Sequence, residues 1–127
     1  MADTSLNENR IGLLIWQTSN VWQSKIRKQL INFNLSFNEY LILETVYKLS
    51  KSIANISQVD VAKHSFIDKS VVSAKLTQLQ NKKLINKMTP NDNRSNKLAL
   101  TRDGKMIVEK IINHVVEVEN ELFEKLN

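Results

Sequence analysis

"NDNRSNKLALTRDG", residues 91–104, is the stretch whose reading decides the fold. Its first half is polar around a single arginine, Arg94. In its second half Leu98 and Leu100 fall on one face of an extended segment. Thr101 then stands at the head of a long helical periodicity, as a cap residue would, with Gly104 three positions on. Upstream, "LINKM" (84–88) reads as a second strand antiparallel to "KLALT" (97–101). The connection "TPNDNRSN" (89–96) has Pro, Asn, Asp and Ser but no Gly, so it is longer than a tight two-residue turn. Arg94 therefore falls on the tip of a β-hairpin, directly before a helix.

Working outward, Asp68 predicts an N-cap for a helix over about 69–82. On that helix Val72, Leu76 and Leu79 point inward, while Ser70, Ser73, Ala74 and Thr77 point out. Ser57-Gln58-Val59-Asp60 opens a short helix to about His64, and "SKSIAN" (50–55) is a loop. Ser36-Phe37-Asn38-Glu39 has the S-x-x-E form of a capping box, opening a helix that carries Tyr40, Leu41, Leu43, Val46, Tyr47 and Leu49. Residues 4–33 predict a long first helix with Ile11, Leu14, Ile15, Val21, Trp22, Ile26, Leu30 and Phe33 near one stripe. Residues 102 to about 126 predict a last helix striped by Val108, Ile111, Val115, Val118 and Leu122. The order is that of a mainly α protein with a small β-hairpin wing: a winged helix-turn-helix between flanking helices, as one domain over 1–127.

Composition narrows the function. The chain has no cysteine, which excludes disulfides, thiolate metal sites and thiol redox chemistry. "GLLIW" (12–16) is too short for a signal peptide or a membrane span, so a soluble, cytoplasmic protein is expected. The net charge of +5 is unevenly placed. Residues 63–105 hold ten Lys/Arg against three Asp, whereas residues 106–127 hold five Glu against two Lys. A basic middle with an acidic tail points to a polyanion partner for the middle alone; a solvated lysine-rich surface is the plainer alternative.

The wing pattern D-x-R-x-x-x-L-x-L-T-x-x-G is complete here as Asp92, Arg94, Leu98, Leu100, Thr101 and Gly104. With "LSFNEYLILETVYKL" and "ISQVDVAKHSFIDKSVVSAKLTQLQNKKLI" before it, the chain resembles the MarR-type (multiple antibiotic resistance) transcription regulators over about residues 35–105. That resemblance implies a homodimer. Helices 4–33 and 102–127 would build the dimer region, and residues 36–101 would form the DNA-binding winged helix. It also implies that the second helix of the pair enters the major groove and the wing arginine enters the minor groove.

The chemistry fits those roles. Small or polar residues on the outer face (Ser70, Ser73, Ala74, Thr77) let a helix backbone approach base edges, and Lys69 suits a phosphate. An arginine on a thin hairpin is suited to the narrow, electronegative minor groove, and Asn93 and Ser95 flank it. Asp92 could hold the Arg94 guanidinium in a bidentate pair. Three positions depart from the family pattern: Lys83 and the turn His64-Ser65-Phe66 stand where the family usually has Gly, and Lys75 stands where an apolar residue is common. At Lys83 either the helix ends differently or the protein tolerates a left-handed residue, at about 1 kcal/mol.

Other constellations are weaker. His64 and His114 have no ligand spacing around them, and no phosphate loop, zinc-protease motif or nucleophile elbow occurs, so neither an enzyme nor a metal or cofactor is expected. Glu117, Glu119, Glu121 and Glu124 read as a solvated face. Trp16 and Trp22 either wall a pocket for a small aromatic or anionic ligand, as the resemblance implies, or simply sit in a dimer core. Lys25, Arg27 and Lys28 read as solvent-facing, with an anion contact as the alternative. The expected function is sequence-specific DNA binding by a homodimeric repressor at a near-palindrome. The second reading is a winged-helix interaction module that binds another regulator rather than DNA.

Overall fold

The computed structural model describes residues 10–88 and 97–124. Helix α1 spans Ile11–Leu30 and runs into a 3-10 turn, Ile31–Phe33. The periodicity over 4–33 is therefore cut short at its end: Asn34 adopts φ 54° and turns the chain away. Residues 4–9 of that expected helix lie outside the described residues. Helix α2 (Phe37–Leu49) starts at Ser36 with the reciprocal bonds expected. The Ser36 hydroxyl accepts from the Glu39 amide at 3.2 Å, and the Glu39 carboxylate accepts from the Ser36 amide at 2.9 Å. Helix α3 (Gln58–Ser65) opens with the same device between Ser57 and Asp60, whose bonds hold the Asp60 carboxyl below the usual carboxylate range. Helix α4 (Lys69–Asn81) is capped by Asp68.

Strands β1 (Ile85–Met88) and β2 (Lys97–Leu100) pair antiparallel, from Ile85 opposite Leu100 to Met88 opposite Lys97. A third, single-residue bridge joins Ile56 to Leu98, whose amide donates to the Ile56 carbonyl at 2.8 Å. That contact ties the hairpin to the start of α3. Helix α5 (Arg102–Glu124) follows Thr101, which accepts from the Gly104 amide at 3.0 Å and donates to the Lys83 carbonyl at 2.7 Å. One side chain thus caps α5 and pins it to the end of the segment leaving α4.

The core lies where these elements meet. Tyr40, Ile42, Leu43 and Val46 of α2 pack with Val61, Val72, Leu79, Leu98, Val108 and Ile111, all essentially inaccessible to water. Each such side chain contributes about 1.5–3 kcal/mol when fully buried. Helix α1 adds only its C-terminal half, through Ile26 and Leu30. The rest of its stripe faces out: Ile11, Leu14, Ile15 and Val21 are about half exposed.

Two departures from the family pattern become physical features. Lys83 adopts φ 61° and Phe66 adopts φ 61°, both in the left-handed region that costs a residue with a Cβ about 1–2 kcal/mol. Lys83 donates its amide to Gln80 and the chain enters β1 as though glycine stood there. Lysine in place of the family's glycine is therefore accommodated in the left-handed region. Replacing Lys83 by glycine should raise stability by about 0.5–1 kcal/mol, the relieved strain less the added freedom of the unfolded chain. A thermal midpoint that stays put or falls would show that Lys83 is unstrained.

Candidate nucleic-acid interface

Helix α4 presents two faces. Val72, Leu76 and Leu79 are buried, and Lys69, Ser70, Ser73, Ala74 and Thr77 are exposed, in the split that their spacing requires. The outward strip carries no side chain larger than threonine after Lys69, so a groove edge can approach the helix backbone. Two of its hydroxyls are already engaged. Ser70 donates to the Asp68 carboxylate at 2.5 Å, and Thr77 donates to the Ser73 carbonyl at 3.2 Å. Toward a ligand both hydroxyls are left chiefly as acceptors. The Asp68 carboxyl, held by the Ser70 hydroxyl and amide, lies below its ordinary range and stays ionised at the helix N-terminus.

Lys75 is half-buried and reaches Gln78 at 3.4 Å, so this departure from an apolar residue is accommodated at the helix flank. Asp92, Asn93, Arg94 and Ser95 lie outside the described residues, between Met88 and Lys97. What is described is their support: the paired strands, with Leu98 buried and Lys87 exposed on either side of one register position.

A second feature lies on the flanking helices. Ile11, Leu14, Ile15, Trp22 and Phe123, with Glu119, line an apolar groove of about 460 Å³. Trp22 lines this groove, whereas Trp16 is 64% exposed and is not part of its wall. The Trp22 indole donates to Glu119 at 3.1 Å and meets the Phe37 ring edge-on, 5.4 Å between centroids. Glu119 is therefore not merely solvating, as the acidic cluster suggested; it anchors Trp22 across the α1–α5 contact. Nothing in the sequence signalled that pair, 97 residues apart. Arg27 is exposed, as expected, with its guanidinium over the Phe37 ring at 5.3 Å, and His114 lies 6.2 Å from the Phe33 ring.

Among the described residues no group of three or more His, Asp or Glu is placed to hold a metal ion, and no helix is long and apolar enough to cross a membrane.

No family model matches the chain. It is 29% identical over 94 residues to a protein of Bacillus subtilis (strain 168) described as the uncharacterized HTH-type transcriptional regulator YdcH; the match covers 73% of this chain. It spans 64% of that relative's length. Among solved structures, MepR, a transcription regulator of the Staphylococcus aureus multidrug efflux pump MepA, superposes with a TM-score of 0.75. It is 25% identical, with 91% of this chain and 84% of MepR covered. MepR has also been solved in complex with DNA. A transcriptional regulator of the MarR family from Rhodococcus sp. RHA1 superposes with a TM-score of 0.81 at 19% identity, covering 94% of this chain and 83% of that one, a likeness of fold. With the helix pair and hairpin described above, these superpositions show that the chain has a winged helix-turn-helix fold like that of the MarR-family structure.

Proposed function

We propose that this chain binds double-stranded DNA sequence-specifically, as a homodimer, and represses transcription from the site it covers. The observation that carries this reading is the outward strip of α4, small and polar from Ser70 to Thr77, on a helix whose opposite side is locked into the core. In the proposed complex α4 lies in the major groove. Lys69 meets a phosphate, and Ser70, Ser73, Ala74 and Thr77 face base edges. The wing residues Asp92, Asn93, Arg94 and Ser95 reach the minor groove, with Arg94 inserted. The apolar half of α1 and the outer face of α5 supply the surface for a second copy, which places two α4 helices about one DNA turn, ~34 Å, apart on a near-palindrome. The likeness to MepR, a protein solved on DNA, supports the same reading.

A small aromatic or anionic ligand in the Trp22 groove would act by changing the spacing of the two helices. Trp16, outside that wall, has no part in this version of the pocket.

The test is a titration of a labelled duplex from upstream of the protein's own gene, at two salt concentrations, with Arg94→Ala alongside. Specific binding should show a steep loss with salt, and the variant should lose roughly 1–3 kcal/mol. Equal, weak binding to this duplex and to a scrambled one, indifferent to Arg94, followed by a failed selection from random sequences, would reject the reading.

A further inference from the structure

Phe66 is the most exposed large apolar side chain described in the chain, at 95%, and it occupies the corner between α3 and α4. The corner needs a left-handed residue. The Phe66 amide closes α3 by donating to Ala62 at 3.2 Å, the chain reverses, and Ile67 drops against the core while its amide bonds the Ser65 hydroxyl. Glycine or asparagine would make this turn without strain. Phenylalanine makes it at φ 61° with its ring in water. Fold stability accounts for neither the backbone strain nor the exposed ring.

The surroundings narrow what the ring meets. Lys63, His64 and Lys69 flank it, all exposed. Between Asp60 and Asp92 the only acidic residue is the ionised Asp68, against six lysines (63, 69, 75, 82, 83 and 87). The ring thus stands between two exposed lysines in a net basic segment, beside the N-terminal end of the α4 strip. A polyanion that also offers apolar groups at its edge fits this pair of properties, and DNA does so through thymine methyl groups and deoxyribose carbons.

We infer that Phe66 is an apolar DNA contact, its ring held out at the helix-turn-helix corner against thymine methyl or deoxyribose groups beside the footprint of α4. This rests on the proposed DNA-binding function and adds a contact to it.

The probe is a duplex recovered by the wild-type chain from a random pool, and a second copy of it with uracil in place of every thymine. Phe66→Gly and Phe66→Asn should unfold at higher temperature than wild type, because both accept the left-handed turn, yet bind the thymine duplex roughly tenfold more weakly. Phe66→Leu, which keeps an apolar side chain, should retain most of the affinity. If uracil weakens wild type and leaves Phe66→Asn unchanged, the ring meets thymine methyls. If uracil weakens neither while Phe66→Asn stays weak on both, the ring meets deoxyribose. Wild-type affinity in Phe66→Asn, with a duplex recovered and bound, overturns the inference and leaves the DNA-binding reading standing. Failure to recover any duplex overturns both.

Discussion

Gly104→Ala should destabilise the protein by about 3 kcal/mol and lower its thermal midpoint by roughly 10 °C. Gly104 lies in the first turn of α5 and is buried. A Cβ built there would overlap the carbonyl oxygen of Leu84, and would also stand 3.0 Å from its carbon and 3.3 Å from its Cα. That oxygen cannot swing aside, because it accepts the Thr101 amide at 3.0 Å where the hairpin closes. Nor can α5 simply slide, since Thr101 is bonded to both Gly104 and Lys83. Relief must come from separating β1 from the head of α5, and that separation would tilt the wing. The control is Gly12→Ala. Gly12 is also in a first helical turn, but nothing lies within 4 Å of its Cβ position. There the better helix former should be neutral or gain up to about 1 kcal/mol. Both variants should be melted at one protein concentration, because association would shift the midpoint by mass action. A Gly104→Ala protein as stable as wild type would mean that the junction of hairpin and helix yields, and that the glycine of the wing pattern is not held there by packing.

This contrast shows which part of the fold the sequence could reveal. Ser36, Ser57, Asp68 and Thr101 were legible as caps because a cap acts within three residues. The inward set Val72, Leu76 and Leu79 was legible because helical period fixes a face once one face is buried. The strands followed from alternation and turn composition. Pairings between distant segments leave no such trace. Trp22 with Glu119, and Tyr47 donating to Glu109 at 3.0 Å, are fixed by how α1 and α2 pack against α5. Burial of α1 was only half legible, since its stripe is continuous in sequence but is covered within this chain only from Trp22 onward. Which side chains of α4 face out and which face the core could be read to the residue. Of the wing, the described strands agree with the reading, while Asp92 to Ser95 lie outside the described residues. The exposure of Phe66 could not be read, because the sequence places it in the turn between two helices without fixing which way its ring lies.

Lys82→Met should cost about 2 kcal/mol at neutral pH and much less near pH 3. Glu39 is 3% exposed, the only buried charged residue described in the core. Its Oε1 accepts from the Ser36 amide and from Lys82 Nζ at 3.1 Å, and the same ammonium lies 2.8 Å from Oε2 as an ion pair outside hydrogen-bond geometry. Lys82 also donates to the Asn34 carbonyl at 2.7 Å. Burial pushes the Glu39 carboxyl up, but the bonds from Lys82 and Ser36 outweigh it and hold the group below its ordinary value near 4.5. A folded-state pKa below the unfolded one stabilises the fold above the unfolded pKa, and that contribution is lost as pH falls through the folded value. Without Lys82 burial prevails, the carboxyl rises, and the penalty of ionising it appears as pH climbs past the unfolded value. The difference between the two proteins therefore widens from acid to neutral. It stays below the 3–5 kcal/mol of a fully buried broken pair, because the lysine side chain keeps 32% of its exposure. Glu39→Gln in the Lys82→Met background should recover most of the loss, since glutamine can still accept from Ser36 in the capping box. A loss independent of pH, and unrelieved by glutamine, would assign Lys82 to packing alone. The pair also joins the C-cap of α4 to the N-terminus of α2, 43 residues away. If α4 is the helix that reads DNA, Lys82→Met should weaken specific binding at neutral pH without touching a base, and Glu39→Gln beside it should restore part of that affinity.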